Sequence, residues 1–365
     1  MTDRIATPAL VLERPGVLPQ IETVLIDPPG PGEVRVRIIA SGICHTDLAA
    51  VRDARFSPMI LGHEGAGVVE SVGEGVEHIR AGDPVMISWR VACGHCRQCA
   101  RGKQDLCENV QTTRAPRTFR ANGEPLHVML NAGTFAEYVV LPADGAIPLR
   151  PVMSMQSAAV IGCAVATGVG AALHTARVEA GDTVVVFGAG GIGLNIVQGA
   201  RLARAGMIIA VDLLDEKLSL ASAFGATHTL NAKQHDPVQR VLELTSGRGA
   251  DHAFEVVGVP AVMSQALGCL AQGGCLTLVG AAARDAEFAF KPRVFMSRQQ
   301  SIRGCIYGSC HPPVDFPLFV DWYERGELKI DELVTATIGL SELPEFFREP
   351  ISNPHAIRTL VRFQA

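Results

Sequence analysis

Four cysteines crowd together as Cys93-x-x-Cys96-x-x-Cys99-x7-Cys107, in a loop rich in Gly, Arg and Gln. Four thiolates at that spacing match a closed tetrahedral zinc site, where the metal replaces a core that so short a segment cannot build. Every position is then a protein ligand, so a zinc held there is structural. Four unrelated free thiols are the alternative, and regular spacing on polar loop residues speaks against it. A zinc that does chemistry needs an open position, normally three protein ligands plus water or substrate. Cys44, His63 and Cys163 carry ligand atoms elsewhere in the chain. Each is ambiguous alone, since a buried Cys is usually a small hydrophobe and a single His is more often hydrogen-bonded in a core. Spacing cannot join ligands this far apart.

A second stretch of chemistry runs from Thr183 to Asp212. Thr183 to Phe187 is an unbroken apolar, β-branched run, as in a parallel strand buried on both faces. Gly188, Gly190 and Gly193 follow as G-x-G-x-x-G, with Gly191 and Ile192 inside the motif. The first glycine permits a tight turn, the second lets a pyrophosphate approach the backbone, and the third lets a helix lie close to the strand. Leu194, Val197 and Ala200 continue at helical spacing, so the turn opens a helix whose N-terminal amides can face phosphate. A second apolar strand, Met207 to Val211, ends on Asp212. A carboxylate there accepts ribose hydroxyls and repels a 2′-phosphate, which favours NAD over NADP. A plain βαβ packing turn is the bland alternative, and the order strand, turn, helix, strand, acid argues against it.

These residues need elements to hold them, and 365 residues suffice for two domains. Residues 1 to 40 read as β-hairpins broken by Pro28-Pro-Gly-Pro-Gly, and Gly65 to Val85 reads as a β-meander. The first part is therefore a small irregular β domain with Cys, His and Glu at its turns. The second half alternates strand and helix. Strands are expected at Thr227 to Asn231, Ala253 to Val257, Cys275 to Gly280 and Ser301 to Ile306, giving with the first two a six-stranded doubly wound sheet. A net charge of −5 without a basic tract argues against a nucleic-acid partner. The N-terminus lacks the pattern of a signal peptide. The uncharged run Pro151 to Ala176 starts at a proline and holds Gln156 and His174, so packed interior is expected rather than a membrane span. A soluble cytoplasmic protein is the expectation. Ten cysteines, four of them crowded into one loop, fit metal in a reducing compartment better than a disulfide framework. Cys269 and Cys275 fall in apolar runs and read as buried thiols.

The chain resembles the zinc-containing medium-chain alcohol dehydrogenases over essentially its whole length. The resemblance rests on G-x-C-H-T-D at 42 to 47, G-H-E at 62 to 64, the four-cysteine loop, G-C-A-V-A-T-G at 162 to 168, and G-x-G-x-x-G with Asp212. The segment from Ser88 to Arg97, the return Ile306-Tyr-Gly-Ser-Cys and Asp315-Phe-Pro look most like the actinobacterial mycothiol-dependent formaldehyde dehydrogenase branch.

The resemblance implies a Rossmann sheet inserted in a GroES-like, mainly β catalytic domain. Residues 1–165 and 308–365 would form the catalytic domain and residues 166–307 the NAD-binding domain. It implies two zinc ions per chain, with Cys44, His63 and Cys163 binding the catalytic one and Glu64 a carboxylate nearby. Zinc there would lower the pKa of an alcohol and favour loss of its hydride to nicotinamide. Thr46 aligns with the hydroxyl that bonds the substrate oxygen and begins a proton relay, against the alternative of a helix-capping threonine. His45 aligns with a pyrophosphate-contacting position, often Arg. Many relatives carry a relay histidine where this chain has Ala49, so the resemblance leaves the proton's exit open, with water and His45 as candidate routes.

Lys217 falls at a ribose-contacting position, Thr167 at the nicotinamide side, and Arg358 at a position that reaches the pyrophosphate. Trp89 aligns with a pocket wall, joined by Ile306 and Tyr307, which suits primary, apolar or aromatic alcohols and aldehydes. Glutathione-dependent relatives use an arginine where Gln111 stands, which argues against glutathione adducts. Small-molecule alcohols or aldehydes are thus the expected substrates, and a homodimer or homotetramer the expected assembly. The alternatives are oxidation of a mycothiol–formaldehyde adduct and a non-catalytic zinc and nucleotide binder. The intact ligand set and Thr46 oppose the latter, and a zinc-free quinone reductase is disfavoured by both cysteine sets.

Overall fold

The computed structural model describes residues 4–348 and 356–363. In chain order the strands are β1 (Ile5–Leu12), β2 (Gln20–Ile26), β3 (Glu33–Gly42), β4 (Met59–Ile60), β5 (Glu64–Val72) and β6 (Pro84–Ile87). Then come β7 (Thr118–Arg120), β8 (His127–Val128), β9 (Tyr138–Pro142) and β10 (Ala146–Pro148). The parallel series is β11 (Thr183–Phe187), β12 (Met207–Asp212), β13 (His228–Asn231), β14 (Ala250–Glu255), β15 (Leu270–Leu278) and β16 (Ser301–Gly304). β17 (Val334–Gly339) and β18 (Arg358–Arg362) close the chain.

Two units result, one of residues 1–163 with 311–365 and one of residues 164–310. The first holds a sheet of order β7-β2-β1-β4-β8 and a larger one of order β10-β6-β5-β3-β18-β17, with β9 also on β3. Of the hairpins expected before residue 40, β1 and β2 form one, whereas β3 leaves for the other sheet, and the expected meander is β5 with β6. In the larger sheet β3 runs antiparallel to β5, with Gly42 opposite Glu64, and β18 lies on the other side of β3, with Leu360 opposite Gly42. That register decides where chemistry can happen. Cys44 leaves the end of β3 where His63 enters β5, and Arg358 begins the strand beside them.

The second unit is a six-stranded parallel sheet of order β13-β12-β11-β14-β15-β16, so the strand order reverses between β11 and β14. All five residues of β11 are buried, as its apolar run requires. β14 stops at Glu255 rather than Val257, because the Glu255 side chain takes up the following amides. β16 stops at Gly304, and Tyr307 turns the chain with φ +56°.

Among the described residues one helix, Met155–Ala176, is long and apolar enough to cross a membrane, but 89% of its most apolar window is buried inside the fold. Its wide π-type turns at Ile161–Val165 and Ala171–Ala176 bracket an α-helical turn, and the first carries Cys163. Such turns interrupt helices most often at functional positions.

Candidate functional site

The Cys93–Cys107 lobe has almost no conventional core. Its buried cluster consists of Cys96, Cys99 and Cys107, with Ala92 and Cys93 packed against them. The four sulfurs lie within 4.8 Å of one another. Amides turn inward: Cys93 N donates to Cys107 Sγ (3.2 Å), Cys96 N to Cys93 Sγ (3.4 Å) and Cys99 N to Cys96 Sγ (3.5 Å). The Cys99 amide pulls the Cys96 thiol down to about 6, while burial pushes Cys99 up to about 12. A cluster of four sulfurs with N–H groups aimed at them fits a tetrahedral divalent cation.

The second cluster is built at the β3–β5 register. Cys44, His63, Glu64 and Cys163 place one ligand atom each within 4.8 Å of the others, and all four are buried. Cys163 reaches them because Gly162 lies flat on β6. A Cβ there would meet Ile87 O at 2.8 Å. Gly42 leaves room for Glu64, since its Cβ would fall 2.0 Å from Glu64 Oε2.

Asp47 organises this centre. It is fully buried, and Oδ2 accepts Cys44 N at 2.8 Å, closing the first turn of the helix His45–Asp53. Oδ1 accepts Gly62 N at 3.1 Å and faces His63 Nδ1 at 3.3 Å. The proton is therefore assigned to Nδ1. His63 Nε2 is buried with no hydrogen-bond partner, as are both Glu64 carboxylate oxygens. An unbonded imidazole lone pair beside two thiols is the donor set a zinc ion requires, and an aspartate behind the ligating histidine fixes its ring.

The same groups shift one another's protonation. Cys44 and Cys163 hydrogen-bond each other, which lowers the Cys44 pKa and, with burial, raises that of Cys163. Burial opposes charge on His63, yet Asp47 and Cys44 together hold its pKa well above the usual value. Burial pushes Glu64 up to about 7 against the pull of Arg358, whose Nη1 lies 3.3 Å from Glu64 Oε1. Arg358 Nη1 also donates to Ile43 O at 2.8 Å. Arg358, expected at a pyrophosphate, thus has its visible polar contacts beside the metal cluster.

Thr46 is half-buried, with Oγ1 3.6 Å from Cys44 Sγ, and His45 is exposed at the first position of the helix. Trp89 packs half-buried against the core of the first unit. Gln111 Nε2 donates to Ala92 O (2.8 Å) and Asp144 Oδ2 (3.3 Å).

In the second unit Gly188 has φ +102°, so the tight turn needs glycine. A Cβ on Gly193 would fall 1.8 Å from Gly188 O, whereas one on Gly190 would meet nothing within 4 Å. The open side at Gly190 is the space a pyrophosphate needs, at the start of the helix Gly191–Leu202. Asp212 Oδ2 accepts Ala189 N (2.8 Å), and Oδ1 accepts Leu213 N (2.7 Å) and Leu214 N (3.1 Å). The carboxylate is thereby aimed rather than free, and of its roughly four acceptor sites about one stays open to a ribose hydroxyl. Lys217 is half-buried on the helix Asp215–Phe224, and Thr167 is buried. Ile306 is 54% exposed, whereas Tyr307 is buried, so its ring serves packing in this unit.

Comparison with known proteins agrees with the two halves. Residues 30–151 match the alcohol dehydrogenase GroES-like domain model, and residues 191–325 match the zinc-binding dehydrogenase model. The S-(hydroxymethyl)glutathione dehydrogenase of Paracoccus denitrificans is 38% identical over 346 residues, 90% of this chain and 92% of that one. The chain belongs to the zinc-dependent medium-chain alcohol dehydrogenase family.

Among solved structures, an alcohol dehydrogenase zinc-binding domain protein from Burkholderia ambifaria superposes with a TM-score of 0.92 at 34% identity, covering 100% of both chains. Benzyl alcohol dehydrogenase from Acinetobacter calcoaceticus superposes with a TM-score of 0.88 at 28% identity, covering 99% of this chain and 100% of that one. This family member is a zinc-dependent oxidoreductase whose GroES-like and Rossmann parts correspond to the two units described. Asp47 was not singled out from the sequence, although an acid three residues after Cys44 has the spacing of a reciprocal helix cap.

Proposed function

We propose that this chain oxidises a primary, apolar or aromatic alcohol to the aldehyde with NAD, and runs the reverse reaction. The observation that carries the reading is the buried Cys44, His63 and Cys163 cluster, with His63 Nε2 unbonded and the Thr46 hydroxyl beside it. Cys44 Sγ, His63 Nε2 and Cys163 Sγ would hold zinc, and the Cys93–Cys107 lobe would hold a second, structural ion. A zinc ion in the first site supplies Lewis acidity to an alcohol or carbonyl oxygen, and NAD supplies the hydride acceptor.

The chain's own residues do the rest. Thr46 Oγ1 accepts the hydroxyl proton of the substrate while passing its own outward. With Ala49 unable to carry a proton, His45 at the exposed start of the helix delivers it to solvent. Asp47 keeps the His63 proton on Nδ1 throughout. Glu64 and Arg358 place a compensating pair behind the ligands, which steadies the charge there as the proton leaves. The open face of Gly190 admits the pyrophosphate, Lys217 supplies a cation near the ribose, and the Asp212 carboxylate accepts a ribose hydroxyl and repels a 2′-phosphate. In this reading Trp89 gives apolar wall to the substrate.

A second reading takes a thiol–formaldehyde adduct as substrate. It is favoured by relatives named for S-(hydroxymethyl)glutathione, such as the Paracoccus protein. Gln111, tied to Ala92 and Asp144, gives no cation for a glutathione carboxylate, so mycothiol is the thiol of choice in that reading. Assembly as a homodimer or homotetramer in the cytoplasm completes the proposal. The exposed Phe290, Val294 and Met296, just before the edge strand β16, support the assembly.

NADH production from a panel of primary alcohols, with and without mycothiol and formaldehyde, separates the readings. Turnover of plain alcohols with NAD supports the first. Turnover only when mycothiol is present replaces it with the second, and no turnover in either arm removes both.

A further inference from the structure

Ser41 on β3 and Gly65 on β5 face each other across the ladder, one rung inside the pair Gly42 and Glu64 at its ligand-bearing end. Side chains opposed in this way normally hold two antiparallel strands together, and a glycine supplies none. Thr134 takes that place from outside the ladder. A Cβ on Gly65 would fall 2.7 Å from Thr134 Cγ2, and the Thr134 and Ser41 hydroxyls share a hydrogen bond of 2.7 Å. The Thr134 amide donates to Gly62 O (3.0 Å) and the Phe135 amide to Leu61 O (3.0 Å). Thr134 and Ser41 are both wholly buried. One threonine thus touches the stretch that leads to Cys44 and the stretch on either side of His63.

Packing is the plain alternative. A valine of the same shape would fill the space beside Gly65 without taking a hydroxyl out of water, so two buried hydroxyls are a costly filler. The chain also spends strain to bring Thr134 there. Leu130 and Asn131 take left-handed backbone, with φ +49° and +60°, in the turn Met129–Asn131 just before it. A bulky side chain such as leucine is an outlier in that region, and strain of this kind gathers at working sites. The ladder itself supplies a reason for the tie. Its register shifts between Ile38 and Ala40, so the last rungs, 40 to 42 against 66 to 64, follow an irregularity. A side-chain bond on the middle rung pins them again, immediately before Cys44 and His63 must meet.

We infer that Thr134 is a positioning residue for the reaction, its hydroxyl tie to Ser41 and its amide tie to Gly62 fixing the separation of the two strand ends that carry Cys44 and His63. The inference rests on the proposed zinc site. The test follows the metal as well as turnover. It combines chelator competition for the Cys44, His63 and Cys163 centre, the d–d absorption of enzyme with cobalt at that centre, and urea midpoints of the same samples. Thr134→Val keeps the methyl against Gly65 and removes the hydroxyl. Metal affinity and kcat each fall by about tenfold, the cobalt band shifts, and the KM for NAD stays unchanged. Ser41→Ala combined with Thr134→Val leaves no buried hydroxyl unpaired and recovers the urea midpoint, while affinity and cobalt band stay displaced. Wild-type affinity and cobalt band in folded Thr134→Val overturn the inference. So does recovery of both in the double variant, because packing alone then explains the pair. Wild-type enzyme that takes up a single metal ion per chain removes instead the zinc reading beneath it.

Discussion

Asp47 touches neither substrate nor coenzyme in the proposed reaction, yet its carboxylate engages Cys44 N, Gly62 N and His63 Nδ1 at once. Asp47→Asn keeps the shape and removes the charge, so the His63 ring loses its fixed tautomer. Zinc affinity at that centre is expected to fall about 10- to 100-fold in chelator competition, and an unchanged affinity would remove Asp47 from the account. Asp212 makes a similar point for the coenzyme. Three backbone amides aim its carboxylate, so Asp212→Gly loses both the acceptor and the negative charge. The preference for NAD over NADP, read from kcat/KM with each, is expected to relax by about tenfold or more. A constant ratio would assign the preference elsewhere.

At the scale of elements, the β3–β5 ladder sets the ligands' approach, and it carries a buried ion pair of its own. Arg35, almost wholly buried, meets Glu70 through Nε (2.6 Å) and Nη2 (3.0 Å). The Arg35 hydrogen bonds hold the Glu70 pKa below the usual carboxylate range. Glu70→Gln removes the negative charge that faces the buried guanidinium, and because the carboxylate is a third exposed the expected cost at neutral pH is about 1.5 kcal/mol. Because the folded pKa of Glu70 is depressed, the native state binds fewer protons than the unfolded chain around that pKa. The contribution is thus present above about pH 4.3 and fades as pH falls through the folded pKa. Urea midpoints of wild type and variant should converge in acid, and a gap that stays constant with pH contradicts the assignment. The Cys93–Cys107 lobe stands on metal rather than on a ladder. Cys99→Ser should lower its thermal midpoint more than it changes kcat in the folded fraction, measured by calorimetry and turnover on the same sample.

Across the molecule, what the sequence could disclose followed the range of the interaction. The Cys93–Cys107 lobe and the Gly188 turn are local, so spacing alone exposed their chemistry. The parallel strands β11 to β16 were legible as apolar runs, although β14 ended early because a side chain, Glu255, captured the next amides. The catalytic cluster was different. Cys44, His63 and Cys163 are separated by up to 119 positions and meet only through the register of β3 on β5 and a flattened helix turn at Gly162. No periodicity encodes that register, and only resemblance to a family joined the three. Arg358 comes from the far end of the chain to the same place, and its pairing with Glu64 had no local signature.

The central claim is that this long-range cluster, and not only the local lobe, holds zinc. Elemental analysis of purified wild type and Cys163→Ala tests it. Two zinc ions per chain in the wild type and one in the variant, with the Cys93–Cys107 lobe still loaded, is the expected result. An equal zinc content in the two proteins would mean that Cys163 is no ligand and that the proposed chemistry has no centre.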